Sequence, residues 1–187
     1  MRVITGKAKG VQLKTPEGML TRPTAERVKE ALFSAIQFDI PAASVLDLFG
    51  GTGQLGIEAL SRGAKRAVFV DERQQACDLI RENLRRTRLE KDAVVIRSDY
   101  LSYLKRTREH FQIIFLDPPY AEVFLENALK CITEIDILQS GGIIVAERPV
   151  GKELNYEFPG YTRSRDYKYG KTLITLYRRN PEEDRAE

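Results

Sequence analysis

Cysteine and histidine are scarce in this sequence, and their scarcity argues against several kinds of catalytic centre. The 187 residues include two cysteines, Cys77 and Cys131, and one histidine, His110. Neither cysteine falls in a spacing typical of a zinc site, and the histidine belongs to no catalytic motif. We therefore expect no metal site and no Ser-His or Cys-His catalysis, and we expect reduced, buried thiols.

Long apolar runs are also absent. The first ten residues, MRVITGKAKG, contain no apolar core of the kind found in signal peptides, and no segment approaches the length of a membrane-spanning helix. With 42% hydrophobic and 30% charged residues, the composition is that of a globular protein that can bury a core without cross-links. We expect a single domain over residues 1–187, a monomer, located in the cytoplasm and without a membrane partner.

Positive charge is concentrated near the two ends of the chain, although the formal net charge is only +3. Residues 1–16 contain no acidic side chain. The basic side chains there, called the N-terminal basic group below, are Arg2, Lys7, Lys9 and Lys14. A second basic cluster lies between residues 163 and 179, interleaved with tyrosines. Such clusters are compatible both with a solvated surface and with binding of a phosphate backbone.

Strands and helices alternate from residue 44 onwards, which predicts a doubly wound α/β sheet. The expected strands are 44–49, 66–71, 93–99, 111–117 and 141–147, and the expected helices are 54–62, 74–88, 101–108 and 124–137. Segments 154–158 and 171–179 are expected to close the sheet as an antiparallel pair at its edge. The prediction is a mostly parallel, seven-stranded sheet with an antiparallel edge strand.

Two further elements are expected ahead of the sheet. Residues 1–23 are predicted to form a small extension, with a hairpin that turns at Gly6–Gly10. Thr24 is predicted to cap a helix that runs from Ala25 to Gln37. At the other end of the chain, residues 181–187 are polar and are expected to form a frayed tail.

A glycine-rich turn follows the first expected strand and reads DLFGGTG over residues 47–53. Gly51 and Gly53 would permit a tight turn and a close approach of the backbone to a ligand that lies across the helix start. The turn lacks the Gly-Lys-Ser/Thr of a P-loop. Asp47 at the strand end would repel a pyrophosphate, so a ligand with an amino group fits better than a dinucleotide.

Acidic residues also end the second and third expected strands. Asp71 stands where doubly wound proteins place an acid that hydrogen-bonds ribose hydroxyls. Asp99 could meet an adenine amino group, and Tyr100 could flank the ring. Each acid could instead cap the helix that follows it. Because ligands of such sheets bind at the carboxyl ends of the strands, acids on three successive strands favour a ligand site there.

The fourth expected strand runs directly into Asp117, Pro118, Pro119 and Tyr120. Each proline fixes φ and lacks an N–H group, so the strand must stop and the turn is rigid. The sequence leaves open a plain strand stop with a solvated acid, since Asp and Pro are ordinary turn residues.

Together, DLFGGTG, FVDE, SDY and DPPY, in this order, resemble the motifs of Rossmann-type S-adenosylmethionine-dependent methyltransferases that modify exocyclic amines. Over nearly the whole chain, RVITGKAKGVQL, RPTAERVKEALF and DLFGGTGQLGIEALSRGA resemble the bacterial RsmD family of 16S ribosomal RNA guanine-N2 methyltransferases. The DPPY motif alone is shared with adenine-N6 enzymes. Gly50 departs from the family pattern, where alanine is common.

The resemblance implies S-adenosylmethionine as the cofactor and 16S ribosomal RNA, free or within an assembly particle, as the partner. It implies that the Asp117 carboxylate and the Pro118 carbonyl accept hydrogen bonds from the guanine amine. It implies that Tyr120 stacks on a base swung out of its RNA context. Arg22 and Thr24 are implied to lie near the methionine end of the cofactor.

Three alternatives stay open from the sequence alone. The first is an adenine-N6 methyltransferase acting on RNA or DNA through the same DPPY site, and the second is a protein-amine methyltransferase. The third is an idle RNA-binding module that keeps the fold, although the intact acids argue against it. For any RNA substrate, we expect the N-terminal basic group to form an arm over the mouth of the site that holds phosphates.

Overall fold

The computed structural model describes residues 1–16, 23–118, 122–151 and 158–181. The helices in these ranges are Pro23–Ala35 (α1), Gln54–Ser61 (α2), Gln74–Thr87 (α3), Tyr100–Arg106 (α4) and Glu122–Ile135 (α5). The strands are Ser44–Asp47 (β1), Arg66–Asp71 (β2), Ala93–Arg97 (β3), Phe111–Leu116 (β4), Leu138–Pro149 (β5), Tyr161–Tyr169 (β6) and Thr172–Arg179 (β7). Across these ranges, no helix is both long enough and apolar enough to cross a membrane.

The strands form one seven-stranded sheet in the order β3-β2-β1-β4-β5-β7-β6. The first five strands of the chain pair in parallel, while β7 runs antiparallel to both β5 and β6. The predicted doubly wound, mostly parallel sheet with an antiparallel edge is therefore confirmed. The strand order reverses at β1, which lies between β2 and β4, and ligands of such sheets bind near this point.

Both faces of the central strands β1, β2 and β4 are buried, which explains why these strands are almost continuously apolar. Alternate residues of each strand enter two separate cores, as Val45 and Leu46 of β1 do. The first core receives the apolar faces of α1, α2 and α3 together with residues of the N-terminal hairpin. The second core receives α4 and α5. The helices thus cover the sheet and leave the carboxyl ends of the strands as the place for a site.

Two predictions about the elements around this sheet are wrong. The first helix begins at Pro23, so Thr24 is its second residue and does not cap it. Proline suits the first helical position because its fixed φ is already helical and its missing N–H has no partner there. The edge partner of β7 is β6 rather than segment 154–158, of which residues 154–157 lie outside the described ranges.

The N-terminal hairpin is present and turns where predicted. Val3 and Val11 are joined by a 3.0 Å backbone hydrogen bond, and Arg2 and Gln12 form an antiparallel bridge. A Cβ atom at Gly6, where φ is +89°, would lie 1.8 Å from the Ser61 carbonyl oxygen. Only glycine therefore allows the hairpin tip to pack this closely against the last residue of α2.

Candidate active site

Three of the predicted acids lie together along the carboxyl edge of the sheet. Asp47 and Asp71 are the last residues of β1 and β2, and Asp117 directly follows β4. In the parallel register, Asp47 pairs with Phe69 of β2 on one side and with Phe115 of β4 on the other. The strand order therefore brings together acids that are far apart in the sequence.

The glycine-rich turn after β1 is fixed by hydrogen bonds to the neighbouring strand. The Gly50 N–H donates to the Val70 carbonyl at 2.8 Å, and the Gly51 N–H donates to the Asp71 carboxylate at 3.0 Å. Gly51 and Gly53 have φ angles of +55° and +78°, which favour glycine. The predicted use of glycine in a tight turn at the start of α2 is confirmed at both positions.

Asp47 is buried beneath this turn, where it accepts a 3.0 Å hydrogen bond from the Gly56 N–H. Burial raises the pKa of Asp47 to about 7, and repulsion from the Asp117 and Asp71 charges adds to the rise, while the Gly56 N–H opposes it. A carboxyl group in this state would gain a counter-ion from a cationic ligand. The predicted preference for a ligand with an amino group is consistent with this setting.

A pocket lies beside the ends of β2 and β3. Its wall includes aromatic rings from three segments, with centroids 5.1 Å apart for Phe49 and Tyr100 and 5.7 Å apart for Tyr100 and Phe124. Asp71 and Asp99 line the same pocket. Flat apolar walls beside two carboxylates suit a heteroaromatic ring that carries polar groups. The pocket thus brings Asp71, Asp99 and Tyr100 together, while their contacts with the adenine ring and the ribose stay predictions.

Asp71 is held by Arg73 instead of capping α3. Its carboxylate accepts hydrogen bonds from the Arg73 backbone N–H at 2.9 Å and from the side-chain Nε and Nη2 at 3.1 and 3.2 Å. The N-cap position of α3 is Arg73 itself. Because the Arg73 side chain is 63% exposed, it can leave the carboxylate when ribose hydroxyls take its place.

Asp99 does cap the helix that follows it, which was the alternative reading of this acid. Its Oδ1 atom accepts a 2.9 Å hydrogen bond from the Ser102 N–H at the start of α4. Within the described ranges, its other oxygen has no hydrogen-bond partner. Capping and ligand binding are therefore compatible for this residue.

A larger cavity of about 410 Å³ lies between α1, the ends of β4 and β5, and the β6–β7 turn at Gly170 and Lys171. We call it the acceptor cavity. Its apolar wall comes mainly from α1, α2 and β7. Asp117 lines it, and burial raises the pKa of this carboxyl group to about 6. In its ionised form the carboxyl group can accept hydrogen bonds from a bound base.

Glu147 lines the same cavity and was not predicted from the sequence as a site residue. Burial and the nearby Asp117 charge raise the pKa of Glu147 to about 8. The sequence does contain an indication that Glu147 is a site residue. The apolar run GGIIVAE ends in an acid, just as the runs of β1, β2 and β4 do.

The remaining predicted site residues are only partly placed. Pro118 is half-buried beside Asp117. Arg22 and Tyr120 lie outside the described residues, and of Thr24 only the helical backbone is described. The stacking role of Tyr120 and the cofactor contacts of Arg22 and Thr24 thus stay predictions.

Lys7, at the tip of the hairpin, does not lie over the mouth of the site, so the predicted position of the arm is wrong for this residue. The Lys7 N–H donates to the Ser61 carbonyl at 2.8 Å. Ser61 is the last residue of α2, and this end of the helix is remote from the carboxyl edge of the sheet. Lys14 instead lies beside the glycine-rich turn, because the Asn83 side chain donates to both the Lys14 and the Thr52 carbonyl groups. Arg2 pairs with Glu26 at 3.3 Å, and Lys14 pairs with Glu82. Lys7 and Lys9 are exposed and form no ion pair within the described ranges.

Comparison with known proteins agrees with this geometry. A family model described as conserved hypothetical protein 95 matches residues 1–178. The Bacillus subtilis protein YlbH, provisionally named an rRNA methyltransferase, is 40% identical over 96% of this chain and 99% of its own length. Ribosomal RNA small subunit methyltransferase D of Haemophilus influenzae is 34% identical over 82% of this chain and 81% of its own. The Escherichia coli protein of the same name is 31% identical over 96% and 90%.

Solved structures show the same fold over nearly the whole chain. The yhhF protein of Escherichia coli, provisionally named a methyltransferase, has a TM-score of 0.88 and 29% identity, with 97% of this chain and 99% of that chain covered. The methylase HI0767 of Haemophilus influenzae, also named provisionally, has a TM-score of 0.81 and 30% identity, with 96% and 98% covered.

Proposed function

Because the chain belongs to the RsmD family of S-adenosylmethionine-dependent ribosomal RNA methyltransferases, whose family model is described as conserved hypothetical protein 95, we propose that it methylates the exocyclic N2 amino group of a guanine in small-subunit (16S) ribosomal RNA. The observation that carries the proposal is the position of Asp117. This acid directly precedes Pro118, at the end of a buried strand and in the wall of a cavity of about 410 Å³.

The chemistry requires that a weak nucleophile be aimed at a methyl group. The nitrogen lone pair of guanine N2 is delocalised into the ring, so acceptors that bind its N–H groups favour the charge that develops on nitrogen. In our proposal the Asp117 carboxylate and the Pro118 carbonyl are these acceptors, and Tyr120 stacks on the base. Rigid positioning of the amine supplies most of the rate enhancement.

S-adenosylmethionine, held by Asp71, Asp99 and the glycine-rich turn, would supply an electrophilic methyl group for N2 and leave as a neutral thioether. The amine then carries one proton too many. In our proposal the ionised form of Asp117 takes this proton, because Asp117 is the acceptor proposed to contact N2. The cavity opens to solvent, to which the proton can then pass.

The cofactor is proposed to lie across the glycine-rich turn. Asp71 would bind the ribose hydroxyls and Asp99 the adenine amino group, with Tyr100 against the ring. The buried Asp47 and the turn residues Gly51 and Gly53 would lie near the methionine portion, with Arg22 and Thr24 at its end. Support comes from the pocket that Asp71, Asp99 and Tyr100 line together.

The ribosomal RNA is proposed to reach the acceptor cavity past the β6–β7 turn, where Lys171 is exposed at the rim. From there it would cross α1, because this helix lines the acceptor cavity on one side and a second cavity, which includes Arg2 and Lys9, on the other. The N-terminal basic group would then bind phosphates beside α1 instead of over the mouth.

We further propose that the enzyme acts as a monomer, in the cytoplasm, on ribosomal RNA within a small-subunit assembly particle. Light scattering measures the mass in solution. Methylation of naked ribosomal RNA compared with assembly particles identifies the preferred form of the substrate.

The decisive experiment maps methylated nucleotides in small-subunit ribosomal RNA from cells with the gene, without it, and with the Asp117→Ala variant. We expect one N2-methylguanosine in the first RNA and none at that position in the other two. Loss of an N6-methyladenosine instead would replace this proposal with the adenine alternative. Identical methylation in the first two RNAs would contradict the proposed substrate.

A further inference from the structure

Glu147 is a carboxyl group of the acceptor cavity that the mechanism above does not use. It lies on β5, next to the strand that leads into Asp117. Leu116 of β4 pairs with Ala146 of β5 in parallel register, and the next residue on each strand is the acid. The sheet therefore holds Asp117 and Glu147 side by side.

Both acids face the same side of the sheet. Side chains alternate along a strand, and Phe115 and Val145 both belong to the first core. Asp117 and Glu147 come two residues after them and are directed to that same side, where both line the acceptor cavity.

Glu147 has no partner of its own in the part of the chain that the structure describes. It forms neither a hydrogen bond nor an ion pair there. Lys29 lines the same cavity, but its ammonium group is already bound by Glu58 and by the Arg2 carbonyl. A half-buried polar group without a partner costs free energy, which a ligand that supplies a hydrogen-bond donor recovers.

We propose that Glu147 recognises the guanine that is methylated, by accepting a hydrogen bond from its N1–H while Asp117 accepts one from the adjacent N2–H. This inference rests on the proposed function. Guanine carries these two donors on neighbouring positions of its Watson–Crick edge, and two adjacent carboxyl groups match them. When Glu147 is protonated, it also donates to O6, the acceptor next to N1. Adenine has no N–H donor beside its amine.

The test compares guanine with 2-aminopurine, a base that keeps the 2-amino group and lacks both N1–H and O6. Small-subunit ribosomal RNA with either base at the methylated position is made by ligation and assembled into particles where required. We expect the wild type to methylate guanine about tenfold to a hundredfold faster, as expected when one buried hydrogen-bonding group loses its partner. Glu147→Ala should slow the methylation of guanine by a similar factor and change the methylation rate of 2-aminopurine little. The methylation rates of the two bases should therefore converge in this variant.

Three further variants make the result specific. Glu147→Gln keeps an oxygen that can accept from N1–H, so it should retain most of the preference for guanine. Glu134→Ala, on the exposed surface of α5, should retain all of it. If Glu147→Ala does not fold, Glu147→Leu fills the space without an acceptor and should show the same convergence of rates.

The outcomes separate this inference from the proposed function. An undiminished preference for guanine in folded Glu147→Ala or Glu147→Leu would overturn the role of Glu147 alone. So would a wild-type enzyme that methylates guanine and 2-aminopurine equally fast. A wild-type enzyme that methylates no guanine at all would overturn the proposed function as well.

Discussion

The Lys29 ammonium group lies 3.3 Å from the Glu58 carboxylate, and both side chains are almost fully buried. Glu58 also accepts hydrogen bonds from the backbone N–H groups of Ile4 and Thr5 at 2.8 and 3.0 Å. Lys29 donates to the Arg2 carbonyl at 2.7 Å. This ion pair therefore fastens the N-terminal hairpin to α1 and α2. Since Lys29 also lines the acceptor cavity, it joins the hairpin to the candidate site.

Glu58→Ala should destabilise the protein strongly. The variant would leave the buried Lys29 ammonium without its counter-charge and two backbone N–H groups without acceptors. Breaking such a buried pair costs about 3–5 kcal/mol of unfolding free energy. Denaturant titration measures the loss. Glu134→Ala, an exposed helix residue, is the matched control and should change stability by no more than about 0.5 kcal/mol. A loss for Glu58→Ala as small as that of the control would show that the pair does not hold the hairpin.

Asp117→Ala should abolish most turnover and leave the fold and cofactor binding intact. Removal of one transition-state acceptor typically lowers the rate about a hundredfold or more. Single-turnover methylation at saturating cofactor measures the rate, and calorimetry with S-adenosylmethionine checks that the cofactor still binds. Wild-type turnover in this variant would rule out the proposed mechanism.

The stability of the protein should depend on pH through Glu147. Burial raises the pKa of this group from 4.5 to about 8, so the folded state keeps a proton that the unfolded chain has already released. The stabilisation that protonated Glu147 contributes is complete below its pKa in the unfolded chain. It is lost as the pH rises towards its pKa in the folded protein. Glu147→Gln cannot titrate, so its unfolding free energy should rise relative to that of the wild type between about pH 4.5 and pH 8.

Denaturant titrations of both proteins across this pH range make the comparison. Glu134→Gln changes an exposed glutamate in the same way, and its difference from the wild type should stay constant with pH. A constant difference for Glu147→Gln as well would mean that Glu147 titrates normally in the folded protein.

The parts of the fold that depend on burial could be predicted from the sequence. Strands covered on both faces leave continuous apolar runs, and their ends are marked by acids and glycines. The edge strand β6 could not be found in this way, because YTRSRDYKY is polar and mostly exposed, and only its pairing with β7 fixes it. The position of the hairpin tip could not be predicted for a similar reason, because it depends on contacts between Gly6 and Ser61, which are distant in sequence.

Within the candidate site, the sequence identified the acids but not their partners. Asp47, Asp71, Asp99 and Asp117 lie at or just after the ends of parallel strands, and their place there follows from the topology. The hydrogen bonds from the Arg73 side chain to the Asp71 carboxylate depend on side-chain conformation, which the sequence does not specify. Glu147 was missed although the expected strand 141–147 also ended in this acid, because no motif surrounds it and only the pairing of β4 with β5 places it beside Asp117.

Asp71→Ala and Arg73→Ala should have opposite consequences for cofactor binding. The first removes the proposed ribose acceptor and should weaken S-adenosylmethionine binding by about 1–3 kcal/mol. The second removes only an exposed side chain that competes for the same carboxylate, so affinity should stay unchanged or increase slightly. Calorimetric titration of both variants measures the affinities. Unchanged affinity in Asp71→Ala would remove this residue from the site, and a large loss in Arg73→Ala would show that the arginine itself binds the cofactor.

The contribution of each basic region to RNA binding can be read from the dependence of affinity on salt. Phosphate contacts release counterions, so each lost contact should flatten the plot of log affinity against log salt by roughly 0.7. Lys171→Ala and the double variant Lys7→Ala/Lys9→Ala should each flatten it, because these lysines are exposed and form no ion pair within the described ranges. Lys14→Ala is the matched control and should change the slope less, because Lys14 already pairs with Glu82. An unchanged slope for the double variant alone would exclude the hairpin tip from the interface and leave the β6–β7 turn as the phosphate-binding region.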